Sequence, residues 1–147
     1  PPASTAQPLS LFAPRRPPPP PEVPADLETP PADARKTSSG LVFRVLQEGT
    51  GIEHPRARSV IEVHYTGWTR NGRMFDSSVV RGQPASLPMD NLIRGWSEGL
   101  QLMVVGEKAR FWIPANLAYG EHPGSGAPAG PLVFDVELLD IKTADIP

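Results

Sequence analysis

Val60-Ile61-Glu62-Val63-His64-Tyr65-Thr66-Gly67-Trp68-Thr69-Arg70-Asn71-Gly72-Arg73-Met74-Phe75-Asp76 is the stretch on which the fold turns. Its first six residues are β-branched or aromatic at most positions, as a half-buried strand requires. Arg70-Asn71-Gly72 is turn chemistry, and Met74-Phe75-Asp76 returns as a second strand. The reading therefore sets aromatic rings and one carboxylate on neighbouring extended segments.

Outward from this pair, short β-like runs alternate with turn signals. Leu41–Leu46 is apolar enough for a strand, and Glu48-Gly49-Thr50-Gly51 ends it. Lys108–Ile113 alternates until Pro114 stops it. Leu132–Ile141 is the longest strand candidate; alternation puts Phe134, Val136, Leu138 and also Asp140 on one face, with Val133, Asp135, Glu137 and Leu139 on the other. Ile93, Trp96 and Leu100 recur at helical spacing, Asp90 or Asn91 is placed to cap the start, and Gly99 or Gly106 lies near the end. Gly95 is unfavourable inside a helix and keeps that helix short. One amphipathic helix with about five strands predicts an α+β domain, a twisted antiparallel half-barrel sheet wrapped around the helix.

Composition divides the 147-residue chain: twelve of its twenty prolines fall in residues 1–36, with Pro17–Pro21 unbroken. Proline fixes φ and lacks the backbone donor, so residues 1–36 are expected to be an extended or disordered linker and residues 37–147 the folded domain. Leu9, Leu11 and Phe12 are the linker's apolar cluster, the anchor if it docks a partner. The chain does not begin with Met and shows no signal peptide, so a processed form is expected. A net charge of -2, balanced in both parts, gives no electrostatic reason to expect nucleic acid as a partner. No apolar run approaches the length of a membrane-spanning helix. With no cysteine there is no disulfide, thiol nucleophile or thiolate metal site.

His54, His64 and His122 lack helical pairing, so a metal centre is not expected. Phosphate-loop and dinucleotide fingerprints are absent, and Ser77-Ser78 has no histidine near it in sequence to suggest a hydrolase. From the residues alone, Tyr65, Phe75 and Trp96 read first as core packing and Tyr119 as a loop anchor, while Asp76 reads equally as a turn cap.

The words His64-Tyr65-Thr66-Gly67, Met74-Phe75-Asp76-Ser77-Ser78, Ile93-Arg94-Gly95-Trp96, Ile113-Pro114, Leu117-Ala118-Tyr119-Gly120 and Leu132–Leu139 run in order with short gaps. Together they resemble the FKBP family, the macrolide-binding immunophilins that act as peptidyl-prolyl cis-trans isomerases (rotamases) in protein folding. The resemblance implies an apolar pocket between sheet and helix. In it Asp76, Tyr119, Trp96 and Phe134 act on the turning X-Pro bond, with Trp96 as the floor. Tyr65, Phe75, Arg81, Leu92, Ile93, His122, Ala85 and Leu87 are implied to hold the substrate, Ile93 through its backbone N–H and Arg81 by orienting Asp76. It also implies no covalent intermediate, no cofactor and no metal. The implied partners are proline-containing polypeptides and the macrolides rapamycin and tacrolimus.

Two positions depart from the family pattern. Ala85 stands where a pocket phenylalanine is usual, with Leu87 the nearest large replacement. The flap Gly124–Gly130 lacks the isoleucine that usually covers the substrate. Isomerase activity with reduced macrolide affinity is the expectation. The alternatives are a non-catalytic proline-peptide-binding or chaperone module using the same pocket, and a scaffold whose business is the proline-rich tail. That tail is also a candidate pseudo-substrate through Ala13-Pro14, Val23-Pro24 and Thr29-Pro30. A proline-rich spacer ahead of such a domain is similar to bacterial envelope members, which implies the envelope or periplasm, with the cytoplasm as alternative. A monomer is the default.

Overall fold

The computed structural model describes residues 23–124 and 126–142. The proline run, the Leu9, Leu11 and Phe12 cluster and the flap residue Ser125 lie outside the described residues. Seven strands form one sheet: β1 (Arg35–Lys36), β2 (Val42–Gln47), β3 (Val60–Thr69), β4 (Met74–Ser77), β5 (Ala85–Pro88), β6 (Lys108–Ile113) and β7 (Leu132–Lys142). Among the described residues two short α-helices accompany them, α1 (Ser78–Arg81) and α2 (Arg94–Leu100). All pairings are antiparallel, in the order β1-β2-β6-β7-β3-β4. β7 occupies one edge of β3 along its whole length, so β4 and β5 share the other. The α+β reading holds. The two strands beyond the expected five are β1, which is two residues long, and β5, which ends in proline; neither carries a legible period.

The turn at Arg70-Asn71-Gly72 forms as its chemistry requires. Gly72 takes φ 90°, and its N–H donates to the Thr69 carbonyl at 3.0 Å. The helix, by contrast, starts later than expected. Asp90 and Asn91 belong to a 3-10 turn, Met89–Asn91, and Ile93 is the N-terminal cap residue, its carbonyl accepting from Trp96 N and Ser97 N. Gly95 and Gly99 are required by packing. A Cβ on Gly95 would stand 2.5 Å from Ile113 Cγ2, and one on Gly99 2.7 Å from Phe111 Cζ. The helix backbone thereby rests directly on β6.

The core fills the concave side of the sheet: Ile61 and Val63 from β3, Ala109, Phe111 and Ile113 from β6, and Leu132, Phe134, Val136 and Leu138 from β7, closed by Trp96 and Leu100. Each of these side chains larger than alanine is worth roughly 1.5–3 kcal/mol when fully buried. Strict alternation along β7 fails at its end. Glu62 pairs with Asp140 but Val63 pairs with Leu138, so Leu139 is an extra residue in a β-bulge. The bulge turns Asp140 out to solvent and brings Ile141 onto the core, which corrects the expectation for Asp140.

A second apolar cluster lies on the opposite face, where Trp68, Trp112 and Val133 are covered by Leu27. The Asp26 carbonyl accepts from Trp112 Nε1 at 2.8 Å, and the Asp26 carboxylate meets Arg110, which also forks onto Asp135. Asp26 and Leu27, which composition places in the linker, thus contact the outer face, and Arg35–Lys36 pair with β2. One buried leucine and a few specific bonds are invisible in a proline count.

Candidate functional site

The site is built where β3, β4 and β7 face the start of α2. Alternation along β3 points Tyr65 and Gly67 to the concave side, and along β7 it points Phe134 there. Gly67 has no side chain because two rings occupy its place: a Cβ there would lie 2.6 Å from Phe75 Cζ and 2.7 Å from Phe134 Cε2. The rings then stack edge-to-face in series. Tyr65 meets Trp96 at 5.1 Å and 84°, Trp96 meets Phe134 at 5.3 Å and 86°, and Phe134 meets Phe75 at 5.4 Å and 90°. This geometry suits the quadrupoles of aromatic rings and makes the wall stiff.

These rings enclose a cavity of about 240 Å³. It is lined by Tyr65, Phe75, Asp76, Leu87, Asn91, Leu92, Ile93, Trp96, Tyr119 and Phe134. Nine of the residues expected at the site therefore meet in one place. Arg81 stands behind Asp76 and acts on the cavity through it. Ala85 and His122 do not line the cavity. Ala85 offers a single methyl that packs into the core opposite Val63, and Leu87, two residues on, reaches the cavity instead. His122 is exposed in the loop before β7. Asn91 is the residue that sequence reasoning missed, because it reads as a helix cap; the 3-10 turn carries it to the rim.

Asp76 is the acidic side chain in the lining. The Tyr65 hydroxyl donates to its Oδ2 at 2.6 Å, and Arg81 Nη1 donates to its Oδ1. Arg81 Nη2 also donates to the Tyr65 hydroxyl at 3.0 Å, with the guanidinium 5.7 Å from that ring's centre. Partial burial pushes the Asp76 carboxyl up, but the bonds from Tyr65 and Arg81 and the Arg81 charge outweigh it and hold it below the ordinary carboxylate range. Burial and the bond to Asp76 push the Tyr65 hydroxyl above its ordinary value. The pair is thus a neutral phenol donating to a carboxylate at neutral pH.

Arg81 is placed by α1. Ser77 caps this helix, its hydroxyl accepting from Val80 N, and Gly82 ends it at φ 77°. At the start of α2, the Ile93 N–H finds no partner among the described residues. No cluster of three metal-ligating side chains occurs among the described residues. The arrangement is an apolar aromatic box with an oriented carboxylate–phenol pair at one side and a backbone donor at the other. It can hold a compact apolar ring beside a polar carbonyl, and its lining carries no nucleophile paired with a base.

The family described as FKBP-type peptidyl-prolyl cis-trans isomerase matches residues 51–139. Over 109 residues the chain is 51% identical to the FKBP-type peptidyl-prolyl cis-trans isomerase FkpA of Aeromonas hydrophila, covering 74% of this chain and 40% of that protein. It is 51% identical over 108 residues to the FKBP-type 22 kDa peptidyl-prolyl cis-trans isomerase of Escherichia coli, covering 71% and 52%. The crystal structure of FkpA from Escherichia coli superposes with a TM-score of 0.73 at 42% identity, over 78% of this chain and 54% of that one. The chain thus spans about half the length of the curated relatives it matches.

Proposed function

Since the chain belongs to the FKBP-type peptidyl-prolyl cis-trans isomerase family, we propose that it accelerates cis-trans rotation about X-Pro bonds in polypeptides. The observation that carries this reading is the aromatic cavity with the Tyr65–Asp76–Arg81 group at its side.

The reaction asks little of a protein chemically. Planarity of the amide comes from resonance, and rotation faces a barrier of roughly 18–20 kcal/mol as that resonance is lost. Uncatalysed X-Pro isomerisation takes tens to hundreds of seconds. No bond is made or broken, so neither cofactor nor covalent intermediate enters. An apolar cavity disfavours the charge-separated planar amide relative to the twisted one, which has lost conjugation. Trp96 then serves as the floor under the prolyl ring, with Tyr65, Phe75, Leu87, Leu92 and Phe134 as walls. The Ile93 N–H and the Tyr119 hydroxyl hold substrate carbonyls on either side of the turning bond, and Asp76, fixed by Arg81, faces it.

The same cavity takes rapamycin or tacrolimus with reduced affinity, because Ala85 leaves the wall a ring short and the flap carries no isoleucine. The domain works as a monomer. A protease-coupled or NMR-exchange assay on a Leu-Pro peptide tests the activity. Acceleration by the wild type that falls in Asp76→Val and Tyr119→Phe, both folded, is the expected result. A folded wild type that gives no acceleration would turn the reading to a peptide-binding module.

A further inference from the structure

We propose that Ser78, held by His64, is a positioning residue for this site, fixing Tyr65 where β3 lacks a strand partner. The shared edge of β3 has a gap. β5 pairs with Val60–Val63 and β4 with Thr66–Trp68, which leaves His64 and Tyr65 without a ladder partner on that side. A backbone donor left unpaired in the interior is costly. Ser78 fills the gap: its hydroxyl accepts from Tyr65 N at 2.8 Å and lies 2.8 Å from His64 Nδ1.

The hydroxyl has one proton to give. Its alternative acceptor, the Tyr65 carbonyl, is 3.4 Å away, beyond the range of a good O–H···O bond. A hydroxyl that donates to His64 Nδ1 leaves the imidazole proton on Nε2, the tautomer that this proposal requires. Ser78 is fully buried and does not line the cavity. It follows Asp76 by two residues and opens the helix that ends in Arg81. One hydroxyl thus ties the backbone of Tyr65 to the segment carrying both partners of its phenol. The register of that tie sets how the phenol meets Asp76 and how the ring meets Trp96. Nothing in the sequence shows it, because the gap exists only once β4 and β5 have both paired.

This inference rests on the isomerase reading, so the test includes a readout independent of activity. Ser78→Ala, Ser78→Thr and His64→Ala are compared with wild type by kcat and KM on the Leu-Pro peptide, by ¹⁵N NMR of the imidazoles, and by thermal unfolding. In the wild type His64 is expected to be protonated on Nε2. In Ser78→Ala that preference should be lost and kcat should fall about tenfold, with KM changing less, as expected when reacting groups are misplaced. Ser78→Thr, which keeps the hydroxyl, should recover most of the rate, and His64→Ala should lose about half of it. A folded Ser78→Ala with wild-type kcat and only a lower Tm would make Ser78 merely structural and overturn the proposal. Should Ser78→Ala not fold, a wild-type kcat in His64→Ala, or a wild-type His64 protonated on Nδ1, would overturn it. An inactive wild type with His64 on Nε2 would instead strike the isomerase reading.

Discussion

Tyr65 and Asp76 are joined by a 2.6 Å hydrogen bond from phenol to carboxylate, across the hairpin whose turn is Arg70-Asn71-Gly72. A bond to a charged group is worth about 1.5–3 kcal/mol, and Arg81 touches both ends of this one. Tyr65→Phe and Asp76→Asn are each expected to lower kcat/KM about tenfold. The double variant should lose little more than either single one, because the two share one interaction. Additive losses in a double-mutant cycle would show that the residues act separately.

The pH dependence follows from the direction of the Asp76 shift. Its folded-state pKa lies below the ordinary 3.8, so its stabilising effect is complete above that value and is lost as pH falls through the lower folded one. Thermal unfolding should therefore show a gap between wild type and Asp76→Asn that is constant from neutral pH to about 5. The gap should close only in more acidic solution. A gap that narrowed between pH 7 and 5 would contradict the depressed value.

Helix-to-sheet contact predicts an unusual cost for alanine. Alanine is normally better than glycine in a helix by about 1 kcal/mol, yet at position 99 its methyl would press on Phe111. Overpacking of this kind costs about 1–3 kcal/mol, so Gly99→Ala should lower stability in denaturant titrations. Combining it with Phe111→Leu, which removes the obstructing Cζ, should cost less than the sum of the two. Plain additivity would rule out the contact as the cause.

Leu27 tests where the domain begins. Truncating this buried side chain to alanine should cost about 2 kcal/mol. Removing residues 1–36 should lower Tm by several degrees. An unchanged Tm after this deletion would return the boundary to residue 36.

Macrolide affinity tests the wall. Losing one buried apolar side chain forfeits about 1.5–3 kcal/mol of contact, so rapamycin or tacrolimus should bind more weakly than nanomolar by calorimetry. Leu87→Phe should tighten binding about tenfold. Nanomolar binding by the wild type would show that the missing ring is not needed.

Much of this architecture was legible because it is local. The β-branched run at Val60–Val63, the Asn71-Gly72 turn and the Ile93, Trp96 and Leu100 spacing each express a backbone preference over a few residues. The cavity wall itself was expected from the family resemblance; alternation along a strand shows only which side chains share a face. Asp140 escaped this logic, because one bulge at Leu139 reverses the parity for everything beyond it. Ala85 and Leu87 share a face, and it is the longer of the two that reaches the cavity.

By itself, then, the sequence determined the α+β class, the hairpin that presents Tyr65 to Asp76 and the aromatic character of the site. Tertiary structure decided the rest: the contacts of Asp26 and Leu27 with the outer face, the placing of Asn91 at the rim, the exclusion of His122, and the gap on β3 that Ser78 fills. The reason is physical. Turns, strands and helices follow from steric and hydrogen-bonding preferences within a few residues, whereas a shared strand edge or a covered tryptophan depends on partners tens of residues away. Their meeting is fixed only when the whole sheet closes.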